Sequence, residues 1–296
     1  MGSPCEIQVI SADDAAAQSA LAAATADIDR LERKYSRYRD DSLLSRINAV
    51  AAKGGEMEVD AETAALLDYA AACHAQSDGL FDITSGVLRK AWRFDGTTSL
   101  PDQGAIESLL DRVGWEKLRW SRPWLAFPNP GLELDFGGIV KEYAADRAAA
   151  LCRSQGLTSG AVNLGGDISI IGPRPDGPWR IGIRAPRDKD GVARALGLRE
   201  GALASSGDYE RCMIVDGTRY GHILNPRTGW PTRHLASVSV AADLCILAGS
   251  TSTIAMLKEG DGPAWLESTG LPCLWIGVDG ETGGALAALA GPSVPA

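Results

Sequence analysis

The sequence predicts an α+β fold built largely from antiparallel sheet, and three observations carry that reading. Helical periodicity and β-rich runs both occur, but without the regular strand–helix–strand alternation of a parallel sheet. Residues 160–240 hold short β-rich runs separated by Gly, Pro and Asp turns, the spacing of hairpins. No fixed-period repeat appears, which excludes solenoids and propellers. A chain of 296 residues can bury a substantial core, and residues 1–296 read as a single domain, either one body or two tightly packed lobes.

Taken in order, "EIQVI" opens the chain as a strand. Ser11, with Asp14 three residues on, has the spacing of a capping box, and Leu21, Ile28, Leu31 and Tyr35 share one helical face. A second helix begins near Asp60, with Leu66, Leu67, Tyr69, Ala70 and Cys73 as core positions, and Gly79 lies beyond its polar end. A third runs from about Glu142 to Gln155 and stops at Gly156. The runs "AVNL", "ISII", "WRIGIR", "CMIVD" and "SVSVA" supply the sheet. A last helix spans about 244–258 and precedes a final strand, "LPCLWIGV". The Gly- and Pro-rich residues 280–296 predict a loose tail.

A net charge of −9 argues against a broad nucleic-acid surface, while leaving room for one basic pocket that takes a small anion. The apolar runs stop short of a membrane span, and "MGSPCEIQVI" lacks the basic-then-apolar order of a signal peptide. The expectation is a cytoplasmic protein. The six cysteines have no CxxC spacing and only three histidines accompany them, so they read as buried reduced thiols and not as zinc ligands.

Small, polar and charged residues gather at element ends in several stretches. "YSRYRDDSLLSRIN", 35–48, taken alone reads as a solvated helix end. In "LDFGGIVKEYAADR", 134–147, paired glycines precede a helix N-terminus bearing Lys141, an arrangement suited to phosphate; a plain strand-to-helix turn with a surface lysine reads equally from the residues. The spacing is neither that of a P-loop nor GxGxxG. Gly165 and Gly166 in "NLGGDISIIG" mark a close backbone approach or a hairpin corner. The turns in "SSGDYER" and "GHILNPRTGWP" hold Asp208, Arg211, His222, Arg227 and Thr228 between β-like runs. By itself His222 reads as a hydrogen-bonded structural histidine.

Together and in this order, with "MGS", "GLFDITSG" and "STSTIAM", these stretches resemble the ApbE family, the FAD:protein FMN transferases, over nearly the whole chain. The resemblance implies an ApbE-like α+β fold with a flavin-binding cleft. The implied reaction moves FMN from FAD to a Ser or Thr hydroxyl of an acceptor protein and releases AMP. It implies FAD contacts at Met1, Tyr38, Leu80, Phe81, Asp82, Asp135, Lys141 and Ile223, a base at His222, and Mg²⁺ or Mn²⁺ held at Gly138 and Thr253.

This chain departs from the family pattern at three positions. Gly249 stands where the family carries an aspartate metal ligand four residues before Thr253, so metal binding is expected to be weakened or to rely on another acid. Restoring a carboxylate with Gly249→Asp is expected to strengthen it. Asn225 stands where the family usually has Asp. Glu142 stands where many relatives have Gly, and a Glu in the first helical turn suits the helix dipole. Two other functions therefore stay open beside the transferase: a catalytically impaired FAD-binding protein, and an FAD pyrophosphatase giving FMN and AMP.

Overall fold

The computed structural model describes residues 4–94, 99–188 and 190–289. Its centre is a seven-stranded sheet formed by Cys5–Val9, Gly160–Leu164, Asp167–Gly172, Ala202–Gly207, Leu235–Ala242, Cys273–Gly277 and Thr282–Gly283. These strands lie side by side in chain order, and every neighbouring pair is antiparallel. The α+β, antiparallel expectation therefore holds. Leu235–Ala242, an interior strand, is buried along almost its whole length, so that even Ser237 and Ser239, which alternate with Val238 and Val240, lie out of solvent.

The helices Val140–Ser154 and Cys245–Leu257 cover one face, and the helix Asp14–Tyr35 packs against the first of them. Ala17, Ala20, Ala24, Ala144, Ala145 and Ala148 are all buried there, and their small side chains let the helices approach one another closely. The opposite face packs under the Trp179–Arg184/Val192–Leu198 hairpin through Ile181, Ile183, Leu203 and Leu274. A third apolar cluster gathers Trp92, Ile106, Tyr220 and Leu224 under the loop before Pro231.

Several boundaries shift. The cap of the first helix is Asp13, which accepts from the Ala16 amide at 3.0 Å, while Ser11 Oγ accepts from the Asp13 amide. Asp60 caps the second long helix as expected, accepting from Glu62 and Thr63 amides. Unforeseen from the sequence are a helix at Leu43–Ala51, capped by Ser42, and a 3₁₀ stretch at Ile83–Lys90. Both are short, and short apolar runs carry a weak periodic signal. Within the stretch expected to be a loose tail, Thr282–Gly283 pairs with the Cys273–Gly277 strand and Leu286 is buried, so 282–286 are ordered against the sheet, while 290–296 lie outside the described residues. Cys73, Cys152, Cys245 and Cys273 are buried as expected, but Cys5 is exposed and Cys212 half-buried. Among the described residues no helix is long and apolar enough to cross a membrane.

Candidate active-site cleft

A cleft of about 640 Å³ opens where the helix-covered face meets the ends of the central strands. Tyr38, Leu80, Phe81, Asp82, Asp135, Gly138, Lys141, His222, Ile223 and Thr253 all line it, so every described residue to which the family resemblance gives a flavin contact, the base or a metal-holding role lies in one cleft, whereas Asp208, Asn225, Arg227, Thr228 and Gly249 are not among its lining. Met1 lies outside the described residues. Lys141 and His222, 81 positions apart in sequence, share the cleft.

One wall is the turn at Asp135–Gly138 and the helix it feeds. Asp135 Oδ1 accepts from the Gly137 amide at 2.8 Å, closing the turn. Its Oδ2 pairs with Arg37 at 2.7 Å and Arg89 at 3.5 Å, and Arg37 also reaches Glu133 at 2.9 Å. A Cβ on Gly86 would lie 2.7 Å from Asp135 Cβ, so glycine at 86 is what lets the 3₁₀ stretch carry Arg89 in beside Asp135. No side chain caps the N-terminus of Val140–Ser154, which leaves that helix end open toward the cleft, the arrangement that favours anions. Lys141, in its first turn, pairs with Asp167 of the neighbouring strand and lies 3.6 Å from Glu142 Oε1.

The Leu80–Asp82 segment is held by side-chain caps. Ser77 Oγ accepts from the Phe81 amide at 2.8 Å. Asp82 Oδ1 accepts from the Thr84 amide and hydroxyl, and Oδ2 from the Trp115 amide at 2.9 Å. Both oxygens of Asp82 are thus engaged within the protein. Its side chain shapes the segment, which leaves the main chain and the Leu80 and Phe81 side chains to meet a ligand. Tyr38 is 78% exposed at the rim, an aromatic face with no covering partner in the described structure.

His222 follows the Thr218–Gly221 strand. A Cβ at Gly221 would lie 3.0 Å from Asp208 Cα, so a larger residue there would press on Asp208, which is in turn clamped by Arg187 through bonds of 2.6 and 2.8 Å. Burial first, then the positive charges of Arg89, Arg211 and Lys141, push the His222 imidazole down from 6.5 to about 4, and a hydrogen bond to the Arg211 backbone offsets part of that fall. At neutral pH the ring is uncharged, and its buried Nδ1 has no hydrogen-bond partner among the described residues. An uncharged ring with an unused acceptor is the state a base requires.

This shift has a stability consequence. Between pH 6.5 and about 4 the unfolded chain holds a proton on His222 that the folded chain rejects, so stability falls as pH drops through that window and is unaffected above it. A His222→Gln variant is expected to lose less stability across the window, by up to about 3 kcal/mol. Urea midpoints measured against pH check this; parallel curves for the two proteins would contradict it.

Across the cleft floor, Ser206 Oγ lies 3.0 Å from Thr253 Oγ1 and 2.8 Å from Ser252 Oγ. Gly249 sits one turn before Thr253 on the Cys245–Leu257 helix, and the position of its absent side chain is filled: a Cβ there would lie 2.5 Å from Glu142 Cγ. The gain in cation binding expected from Gly249→Asp alone therefore requires the Glu142 side chain to move aside. Glu142 is itself 7% exposed, lines the cleft, and leaves Oε2 without a hydrogen-bond partner among the described residues. Reading Glu142 as a first-turn dipole partner missed this, as single-position reasoning cannot see a contact between two helices. Arg37, Arg89 and Asp167 were also missed as site residues, although Arg37 and Asp167 stand inside stretches that drew notice.

The arrangement is a deep, mixed-polarity cleft with an apolar and aromatic end, a cationic wall, an uncharged histidine and an oxygen-rich floor. A profile of the ApbE family matches residues 1–275. An FAD:protein FMN transferase of Rhodobacter capsulatus is 33% identical over 270 residues, covering 88% of this chain and 51% of that protein, so the chain spans about half its length. A Klebsiella pneumoniae protein of the same description is 30% identical, with coverage of 95% and 83%. Among solved structures, the ApbE protein of Thermotoga maritima superposes with a TM-score of 0.87 at 33% identity, covering 96% of this chain and 94% of its own. The apo flavinyl transferase ApbE of Pseudomonas stutzeri gives 0.86 at 29%, with coverage of 98% and 95%.

Proposed function

This chain belongs to the ApbE family, and we propose from that premise that it transfers FMN from FAD to a Ser or Thr hydroxyl of an acceptor protein, releasing AMP. The observation that carries this reading is the shared cleft of Lys141 and His222, a cation and an uncharged base near enough for the charge of one to act on the other. Leu80, Phe81 and Ile223, with Tyr38 at the rim, offer the apolar and aromatic surface an isoalloxazine ring needs. The open helix end at Val140, with Lys141, offers the diphosphate its positive charge. Asp135 acts by positioning: it fixes Arg37, Arg89 and the Gly137 amide around that site.

In the reaction, the acceptor hydroxyl oxygen attacks the phosphorus of the FMN half. A new P–O bond forms as the P–O bond to the AMP phosphate breaks, and the hydroxyl proton passes to His222. Negative charge grows on the phosphoryl and departing oxygens, so catalysis rests on positioning and fixed positive charge. A divalent cation fits this cleft, because the donors at hand are hard oxygens and the buried Glu142 Oε2 has neither a hydrogen bond nor an ion pair among the described residues. Thr253 and the Gly138 carbonyl would hold it, and it would supply further positive charge at the phosphoryl oxygens. Among the described residues no three acidic, His or Cys side chains cluster as a preformed cage, so the ligand's phosphates would complete the coordination.

Incubation with FAD, Mg²⁺ or Mn²⁺ and a Ser/Thr-bearing acceptor, followed by intact mass, tests this. A covalent FMN adduct with stoichiometric AMP is expected. AMP without an adduct would instead support hydrolysis, and unprocessed bound FAD under every metal condition would support a non-catalytic binder.

A further inference from the structure

We propose that Glu142 is the carboxylate ligand of the divalent cation in this cleft, reaching across from the Val140–Ser154 helix to stand over Gly249. The inference rests on the FAD reading above and deepens it. Three features of the structure converge on it.

First, Glu142 is buried at the cleft wall with Oε2 unsatisfied. A buried carboxylate oxygen without a partner is costly, and folded proteins rarely leave one. Its cationic neighbour Lys141 lies 3.6 Å from the other oxygen, beyond hydrogen-bond reach, and is already paired with Asp167.

Second, the Glu142 side chain occupies the space above Gly249. The Cβ position there is 2.5 Å from Glu142 Cγ, 3.1 Å from Cδ and 3.3 Å from Oε1. Residues four apart on a helix are neighbours on one face. The Glu142 carboxylate therefore stands over Gly249, one turn from the Thr253 hydroxyl, with which it lines the same cleft.

Third, the proposed ligand is a diphosphate. Carboxylate and diphosphate charges brought together in one cleft repel unless a cation lies between them, and Lys141 is already engaged by Asp167. A hard cation resolves the unsatisfied oxygen and the like-charge clash together. On this reading Gly249 is no deficiency: its missing side chain makes room for an acid supplied by another helix. Cation binding should then depend on the diphosphate, because the protein alone offers few ligands.

The test is Mn²⁺ binding followed by loss of the free-ion EPR signal, with FAD present and no acceptor protein, so turnover plays no part. Wild type is expected to bind Mn²⁺ tenfold or more tightly with FAD than without. Glu142→Gln, which keeps the shape, is expected to weaken Mn²⁺ binding at least tenfold while its melting temperature stays near wild type and its FAD affinity in EDTA is equal to or tighter than wild type. Gly249→Asp alone should lower the melting temperature, and Glu142→Gly/Gly249→Asp together should restore both folding and Mn²⁺ affinity to within about fivefold of wild type. Glu142→Gln binding Mn²⁺ within twofold of wild type overturns the proposal. So does a loss confined to FAD affinity, which would make Glu142 a partner of a ribityl or ribose hydroxyl. Wild type that binds FAD but no Mn²⁺ ends the cation assignment and leaves the FAD reading standing, whereas wild type that binds no FAD ends both.

Discussion

Replacing His222 with asparagine is expected to slow flavin transfer by roughly 10²- to 10⁴-fold, the range lost with a general base, while FAD binds within a fewfold of wild type. Among the described residues the imidazole enters no salt bridge, so removing it takes away a proton acceptor and one hydrogen bond to the Arg211 backbone. The pH profile adds a second readout. In the free protein, burial and the charges of Arg89, Arg211 and Lys141 hold the ring near 4. A bound diphosphate would offset those charges, and the ring in the complex should titrate closer to neutral. The acid limb of kcat should therefore lie at higher pH than that of kcat/KM. Rates and FAD fluorescence titrations across pH 4.5–8 check both points. Transfer within a fewfold of wild type in the asparagine variant would remove His222 from the chemistry.

Asp135→Ala is expected to cost about 3 kcal/mol of stability, the scale seen when one partner of a mostly buried ion pair is removed. Arg37 would keep Glu133, but Arg89 would lose the carboxylate that faces it and the Gly137 amide would lose its acceptor. The turn leading to Lys141 would loosen, so FAD affinity should fall with stability. Thermal melting and FAD titration measure the two effects. Asp135→Asn separates them: it keeps an acceptor for the Gly137 amide while releasing the arginines, and should bind FAD better than the alanine variant. An alanine variant that melts within about a degree of wild type would show that Asp135 holds nothing in place.

The sequence revealed the site in a particular way. Residues that act through their own chemistry, such as Lys141 and His222, stand out because they sit in short stretches whose order along the chain resembles one family. The role of holding others in place did not show: Asp82 and Asp135 stood out as residues, but not as the supports they are. Asp82 reads as a ligand contact, yet both its oxygens are spent on Thr84 and Trp115. Arg89 lies in an unremarkable "LRK", and only the 3₁₀ stretch made possible by Gly86 brings it to Asp135. The fold shows the same division. Asp60 announces the helix it caps, while Leu43–Ala51 is too short for its apolar spacing to stand out beside the charges around it. Glu142 and Gly249 are the sharpest case, since each looks like an independent local departure. They lie 107 positions apart in sequence and meet only when two helices pack.

A crystal structure of the protein with FAD bears most directly on the whole account. The dinucleotide should lie in the 640 Å³ cleft with its diphosphate between Lys141 and the His222 ring and its isoalloxazine against Leu80, Phe81 and Tyr38. FAD bound elsewhere, or seated in the cleft with its phosphates turned away from both Lys141 and His222, would contradict it.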